Sequence, residues 1–178
     1  DAMMKSPKVI EEVFAEFEKV SGRKYNMIEE YKLEDADVVI ACLGTTFETA
    51  QIAADNMRAK GIKAGIIMPR VFRPTQLEKL AEMLKDAKAI VCMDRAAPGG
   101  QLGILFQDIS SSLINTPARP LMSDVIYGLG GRDMTVVELE EIYQVAQDEV
   151  NAGKLNGTIQ RWVGVRGPEL KYFNVEGK

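Results

Sequence analysis

The sequence predicts an α/β fold, an open and mainly parallel sheet with helices on both faces. Three observations carry this. Four short apolar runs, at 38–43, 64–68, 89–93 and 121–127, are continuous and not alternating, as in strands covered on both sides. Each is followed by a segment with apolar residues at helical spacing. The resulting β-α repeats imply right-handed crossovers and a parallel sheet.

The elements follow in order. A leading helix is predicted from Ser6 and Pro7 to Gly22, with Ile10, Val13, Phe14 and Phe17 on one face that requires a cover. Residues 23–37 are expected to link it to the first strand, and Glu29, Glu30, Glu34, Asp35 and Asp37 there read as a solvated acidic face. The next helix carries Phe47, Ala50, Ala54 and Met57 on one stripe, and the one after it Leu77, Leu80, Ala81 and Leu84. The third stripe is Leu102, Leu105, Phe106, Ile109 and Leu113, and the fourth Leu139, Ile142, Tyr143, Ala146 and Val150. Three of these helices open on Thr followed three residues later by Glu: Thr45 with Glu48, Thr75 with Glu78, and Thr135 with Glu138. That spacing predicts three capping boxes, which makes the threonines structural and not nucleophilic. The organisation expected is a single α/β domain over 1–178, with a leading helix and linker at 1–37, a repeat core at 38–152 and an aromatic tail at 153–178 carrying Trp162, Tyr172 and Phe173.

Composition narrows the function. Hydrophobic residues are 46% and charged residues 27% of the 178, which is ordinary for a globular domain. A net charge of -4 with scattered Lys and Arg argues against a nucleic-acid partner, and no apolar run reaches the ~20 residues of a membrane span. Cys42 and Cys92 lie within strand-like runs without metal spacing, and read as buried thiols of a cytoplasmic protein. The sequence has no histidine, so the commonest general base is missing. No catalytic, cofactor-binding or metal-binding residue is assigned. Neither a GxGxxG fingerprint nor a GxxxxGK loop occurs, which disfavours nicotinamide, flavin and simple ATP chemistry.

What remains is a set of strand-end loops. Gly128-Leu129-Gly130-Gly131-Arg132-Asp133 joins an apolar run to a periodic helix; it is either a tight turn or a docking surface. Arg70, Arg73 and Arg95 also follow strands, and without an accompanying base they fit subunit contacts. The interface set is therefore Arg70, Arg73, Arg95, Gly130, Gly131, Arg132 and Asp133. The alternative is an anion- or coenzyme A-contacting module using the glycine-rich loop 98–103 ahead of a helix.

Several motifs occur together in order: Gly22-Arg23-Lys24-Tyr25, Ile28-Glu29-Glu30-Tyr31-Lys32, Glu34-Asp35-Ala36-Asp37, Pro69-Arg70-Val71-Phe72-Arg73-Pro74 and the 128–133 junction. The combination resembles the alpha subunit of 2-oxoacid:ferredoxin oxidoreductases of the pyruvate:ferredoxin oxidoreductase (pyruvate synthase) type. The resemblance implies the carboxyl-terminal part of that subunit, with a fold like the transketolase carboxyl-terminal domain and a role in subunit contact. It also implies a larger enzyme using thiamine diphosphate, Mg and iron-sulfur clusters held on other domains and subunits. That enzyme would convert pyruvate and coenzyme A to acetyl-CoA and CO2 with reduction of ferredoxin.

Overall fold

Strand β2 (Val38–Ala41) lies fully buried near the middle of a six-stranded sheet. The computed structural model describes residues 1–165. The strand order is β1 (Ile28–Tyr31), β3 (Ala64–Pro69), β2, β4 (Ala89–Asp94), β5 (Leu121–Ile126) and β6 (Gln160–Trp162). All neighbours pair in parallel except β1, which runs antiparallel to β3 with Ile28 opposite Pro69. The sheet is thus open and mainly parallel.

Continuous apolar strands have two faces to bury. On one, Ile40, Ile66, Val91 and Val125 pack under α2 (Thr46–Ala59) and α5 (Val136–Ala152) through Phe47, Ala50, Ala54, Met57, Leu139, Ile142 and Tyr143. On the other, Val39, Ala41, Ile67 and Ile90 pack under α3 (Leu77–Leu84) and α4 (Ile104–Leu113) through Leu80, Leu84, Leu105, Phe106 and Ile109. The stripes of α2 to α5 face these two layers, with Ala81, Leu102 and Val150 half-buried and Leu77 37% exposed.

Two strands escape the apolar-run criterion. β1 forms inside the stretch expected to be a linker, and its sequence, Ile-Glu-Glu-Tyr, is half charged because it is an edge strand. At the other edge, three residues of the expected tail form β6, with Trp162 46% exposed. Tyr172 and Phe173 lie outside the described residues.

Of the three expected capping boxes, one forms. At α5, Thr135 Oγ1 accepts from the Glu138 amide at 3.2 Å and the Glu138 carboxylate accepts from the Thr135 amide at 2.8 Å. Thr45 sits in the right-handed helical region (φ −63°, ψ −19°), where the chain is already turning, and makes no side-chain cap. The Thr75 hydroxyl is engaged with Arg73 and the Phe72 carbonyl, and α3 begins two residues later. Thr135→Ala should therefore lose about 1 kcal/mol, while Thr45→Ala stays within about 0.5 kcal/mol; urea unfolding of the two variants checks the contrast.

The leading helix α1 (Ala2–Ser21) starts earlier than expected, with Pro7 inside it. Proline supplies no amide for the Met3 carbonyl, and the Ser6 hydroxyl donates to that oxygen instead, at 2.8 Å. Gly22 ends the helix in the left-handed conformation (φ 70°) with its amide on Glu18. None of the helix's residues is buried.

Candidate functional site

Ligands of open α/β sheets bind beyond the carboxyl ends of the strands, so the loops after β3, β4 and β5 define the region. Below them lies a feature that apolar periodicity did not mark. Asp94 closes β4 and Asp124 sits within β5; both are buried, at 6% and 0% exposure. Strand register sets them on one face of the sheet, since Asp124 lies opposite Cys92, two residues before Asp94. Between them passes Gly103, the residue before α4. Its amide donates to Asp124 Oδ2 at 2.8 Å, and the Leu105 amide donates to Asp94 Oδ2 at 3.0 Å. Gln160 of β6 donates to the same Asp124 oxygen at 2.9 Å, while Asp124 Oδ1 is buried without a hydrogen bond.

The start of α4 is thus held by the chain's own carboxylates. Burial raises the Asp94 pKa above the usual range, opposed by the Leu105 and Phe106 amides and reinforced by the charges of Asp124 and Asp108. Two buried carboxyl groups already occupy the Gly103 and Leu105 donors, and both disfavour a second anion. The geometry therefore gives the loop 98–103 little to offer a phosphate at this helix start.

Above this layer, Arg95 follows β4 and organises the glycine-rich junction. Its guanidinium lies 5.6 Å from the Tyr127 ring centre and donates to the Arg132 carbonyl at 2.9 Å. Gly128 lets it pass: a Cβ there would stand 2.5 Å from Arg95 Nε, and the backbone has φ 65°. Tyr127 is itself buried, its hydroxyl 2.6 Å from that of Thr46. The Arg132 guanidinium donates to the Gly164 carbonyl, tying the junction to the chain after β6. Leu129 (41% exposed), Gly130, Gly131, Arg132 and Asp133 remain on the surface.

Arg70 and Arg73 stand elsewhere. Arg70 pairs with Glu29 of β1 at 3.0 Å and lies over Tyr25. Arg73 stacks on Phe72 and pairs with Asp108 of α4 at 2.7 Å. The seven expected interface residues thus divide: Arg95, Gly130, Gly131, Arg132 and Asp133 share one junction, while Arg70 and Arg73 brace the loop after β3. The acidic residues of 29–37 are partly neutralised, with Asp35 on Arg58 and Asp37 on Lys88. Glu30, Glu34 and the two aspartates border a cavity of about 380 Å³ at the opposite, amino end of the sheet.

The cysteines do not fit an iron-sulfur cluster. Cys42 lies in the core layer under α2 and α5, Cys92 in the layer under α3 and α4, so the sheet separates them. Burial pushes the Cys42 thiol up to about 12 and the Cys92 thiol well above its ordinary value, and a cluster needs thiolates. Nor do Asp94 and Asp124 suit the Mg of a diphosphate cofactor, because they face backbone amides beneath α4. Among the described residues no three His, Cys, Asp or Glu side chains group as a metal site, and no helix is long and apolar enough to cross a membrane.

Comparison with known proteins fits this architecture. Residues 36–139 match the family "Pyruvate:ferredoxin oxidoreductase core domain II". The chain is 42% identical over 171 residues to the pyruvate synthase subunit PorA of Pyrococcus furiosus, covering 96% of this chain and 43% of that subunit. It is also 42% identical over 154 residues to the ketoisovalerate oxidoreductase subunit VorA of Pyrococcus horikoshii, covering 86% of this chain and 39% of the relative. The chain therefore spans about two fifths of the length of these curated relatives. A solved split-gene transketolase, an inactive beta4 tetramer, superposes with TM-score 0.52 over 71% of this chain and 43% of its own at 20% identity, which supports the transketolase-like fold. The sequence match spans β2, β3, β4 and β5 and the helices between them, and on that ground the chain belongs to the pyruvate:ferredoxin oxidoreductase core domain II family.

Proposed function

We propose that this chain is a structural and subunit-contact domain of a cytoplasmic 2-oxoacid:ferredoxin oxidoreductase, with its glycine-rich junction as a contact surface. The observation that carries this reading is the Arg95 clamp on the Arg132 carbonyl, which holds an exposed, charged loop in place with no reactive group beside it. In the larger enzyme, thiamine diphosphate, Mg and iron-sulfur clusters reside on other domains and subunits, and ferredoxin and coenzyme A meet those parts. The reaction is pyruvate plus coenzyme A to acetyl-CoA and CO2, with two electrons passing to ferredoxin. Within the contact surface, Arg132 and Asp133 present opposite charges, Gly130 and Gly131 allow close backbone approach, and Leu129 supplies an apolar centre ringed by polar groups. Arg95 braces this junction from behind, while Arg70 and Arg73 brace the separate loop after β3.

Arg132→Ala in the assembled enzyme should weaken association of the remaining subunits at least tenfold and lower 2-oxoacid-dependent ferredoxin reduction in proportion. Size-exclusion analysis with turnover of the same fractions measures both. Unchanged assembly and turnover would remove Arg132 from the interface.

A further inference from the structure

We infer that the outward face of α1 docks onto the rest of the oxidoreductase alpha subunit, an inference that rests on the functional reading above. At 100° per residue, Val9, Ile10, Val13, Phe14, Phe17 and Val20 share one continuous arc, with the charged residues of the helix on the other side. Such a face normally packs on a core, since helices in proteins draw most of their stability from packing an amphipathic face. Here Val9 is 54% exposed, Val13 53%, Phe17 43% and Val20 87%. One margin is anchored: Phe14 and Phe17 rest on Tyr25 at 6.3 and 5.7 Å between ring centres, and Tyr25 lies under Arg70, which pairs with Glu29 of β1. The helix thus touches the chain that follows it along one margin, while its valine side faces solvent.

The size of the face and the length of the relatives together select the occupant. A 20-residue helix is about 30 Å long. Two such faces about 10 Å wide would bury roughly 600 Å² in total, a little over a third of the roughly 1,600 Å² that a specific interface usually buries, so a second copy paired through α1 alone is disfavoured. In contrast, the match to the Pyrococcus furiosus PorA subunit covers 96% of this chain, so most of α1 falls inside it, yet it takes up only 43% of that subunit. More than half of the subunit is available there to cover the helix.

The test uses the native assembly, isolated from its source through a tag on this chain, alongside the 178-residue chain alone. Amide exchange across α1 should be at least tenfold slower in the assembly, and lysine cross-links from Lys5, Lys8 and Lys19 should reach the remainder of the alpha subunit, whichever polypeptide carries it. Val13→Asp and Val20→Asp should leave unfolding of the chain alone unchanged and weaken the assembly at least tenfold. Equal exchange in both samples, or cross-links joining α1 only to α1 of a second copy, would overturn the docking while leaving the family role intact. An assembly without any oxidoreductase subunit would overturn both.

Discussion

Replacing Gly103 by alanine should destabilise the fold by about 3 kcal/mol, the upper part of the range for overpacking a core. The backbone at Gly103 is ordinary for any residue, with φ −55° and ψ 150°, so the effect is one of space. A Cβ would stand 2.7 Å from Asp94 Cγ and 2.8 Å from Asp124 Oδ1. Neither carboxylate can retreat cheaply. Asp124 accepts from the Gly103 amide and from Gln160, Asp94 accepts from Leu105, and both lie in the core. Moving either one forfeits hydrogen bonds to buried groups. Equilibrium unfolding in urea measures the loss; a loss below about 1 kcal/mol would mean that the start of α4 is less tightly seated than this geometry requires.

Arg161→Met should cost a comparable amount, about 3–5 kcal/mol, by stranding a buried charge. Glu149 on α5 is 2% exposed, and its carboxylate receives the Arg161 guanidinium and the Asn156 amide, the latter at 2.7 Å. These contacts fasten β6, an edge strand of three residues, to the helix that covers it. Without the guanidinium, one buried carboxylate keeps a single amide partner. The paired variant Arg161→Met with Glu149→Leu should recover a large share of the loss, because removing both charges leaves neither unsolvated. Failure of the second substitution to restore stability would show that the arginine acts through packing and not through its charge.

The parts of this fold readable from sequence are those whose side chains meet two apolar layers. β2, β3, β4 and the inner half of β5 are continuous apolar runs for that reason, and the helices between them repeat at 3.6 residues. β1 and β6 were not legible because an edge strand exposes part of its surface and tolerates Glu29, Glu30, Gln160 and Arg161. The caps depend likewise on the backbone that enters each helix. Thr45, Thr75 and Thr135 share one local spacing, but only Thr135 enters its helix from an extended conformation (φ −88°, ψ 159°) that aims the hydroxyl at the third amide. At Thr45 the backbone supplies the turn, with Phe47 donating to the Gly44 carbonyl at 3.1 Å.

For the candidate site, the strand-end positions of Arg70, Arg73, Arg95 and Arg132 were legible, but their partners were not. Glu29, Asp108, the Arg132 carbonyl and the Gly164 carbonyl lie between 32 and 41 residues away along the chain. Only the folded sheet brings them close. Asp94 and Asp124 gave a weak signal, as charged residues at the end of or inside apolar runs. Their purpose depends on Gly103 passing between them, and that is a tertiary fact.

On the proposed reading, this chain serves a 2-oxoacid oxidoreductase by contact and not by chemistry of its own. The most direct measurement is ferredoxin reduction, dependent on pyruvate and coenzyme A, in two samples: the assembly purified from source through this chain, and the isolated 178-residue chain supplied with thiamine diphosphate and Mg. Turnover is expected in the assembly and none in the isolated chain. Turnover by the isolated chain, or an assembly that contains it but reduces no ferredoxin with pyruvate or 2-ketoisovalerate, would contradict that reading.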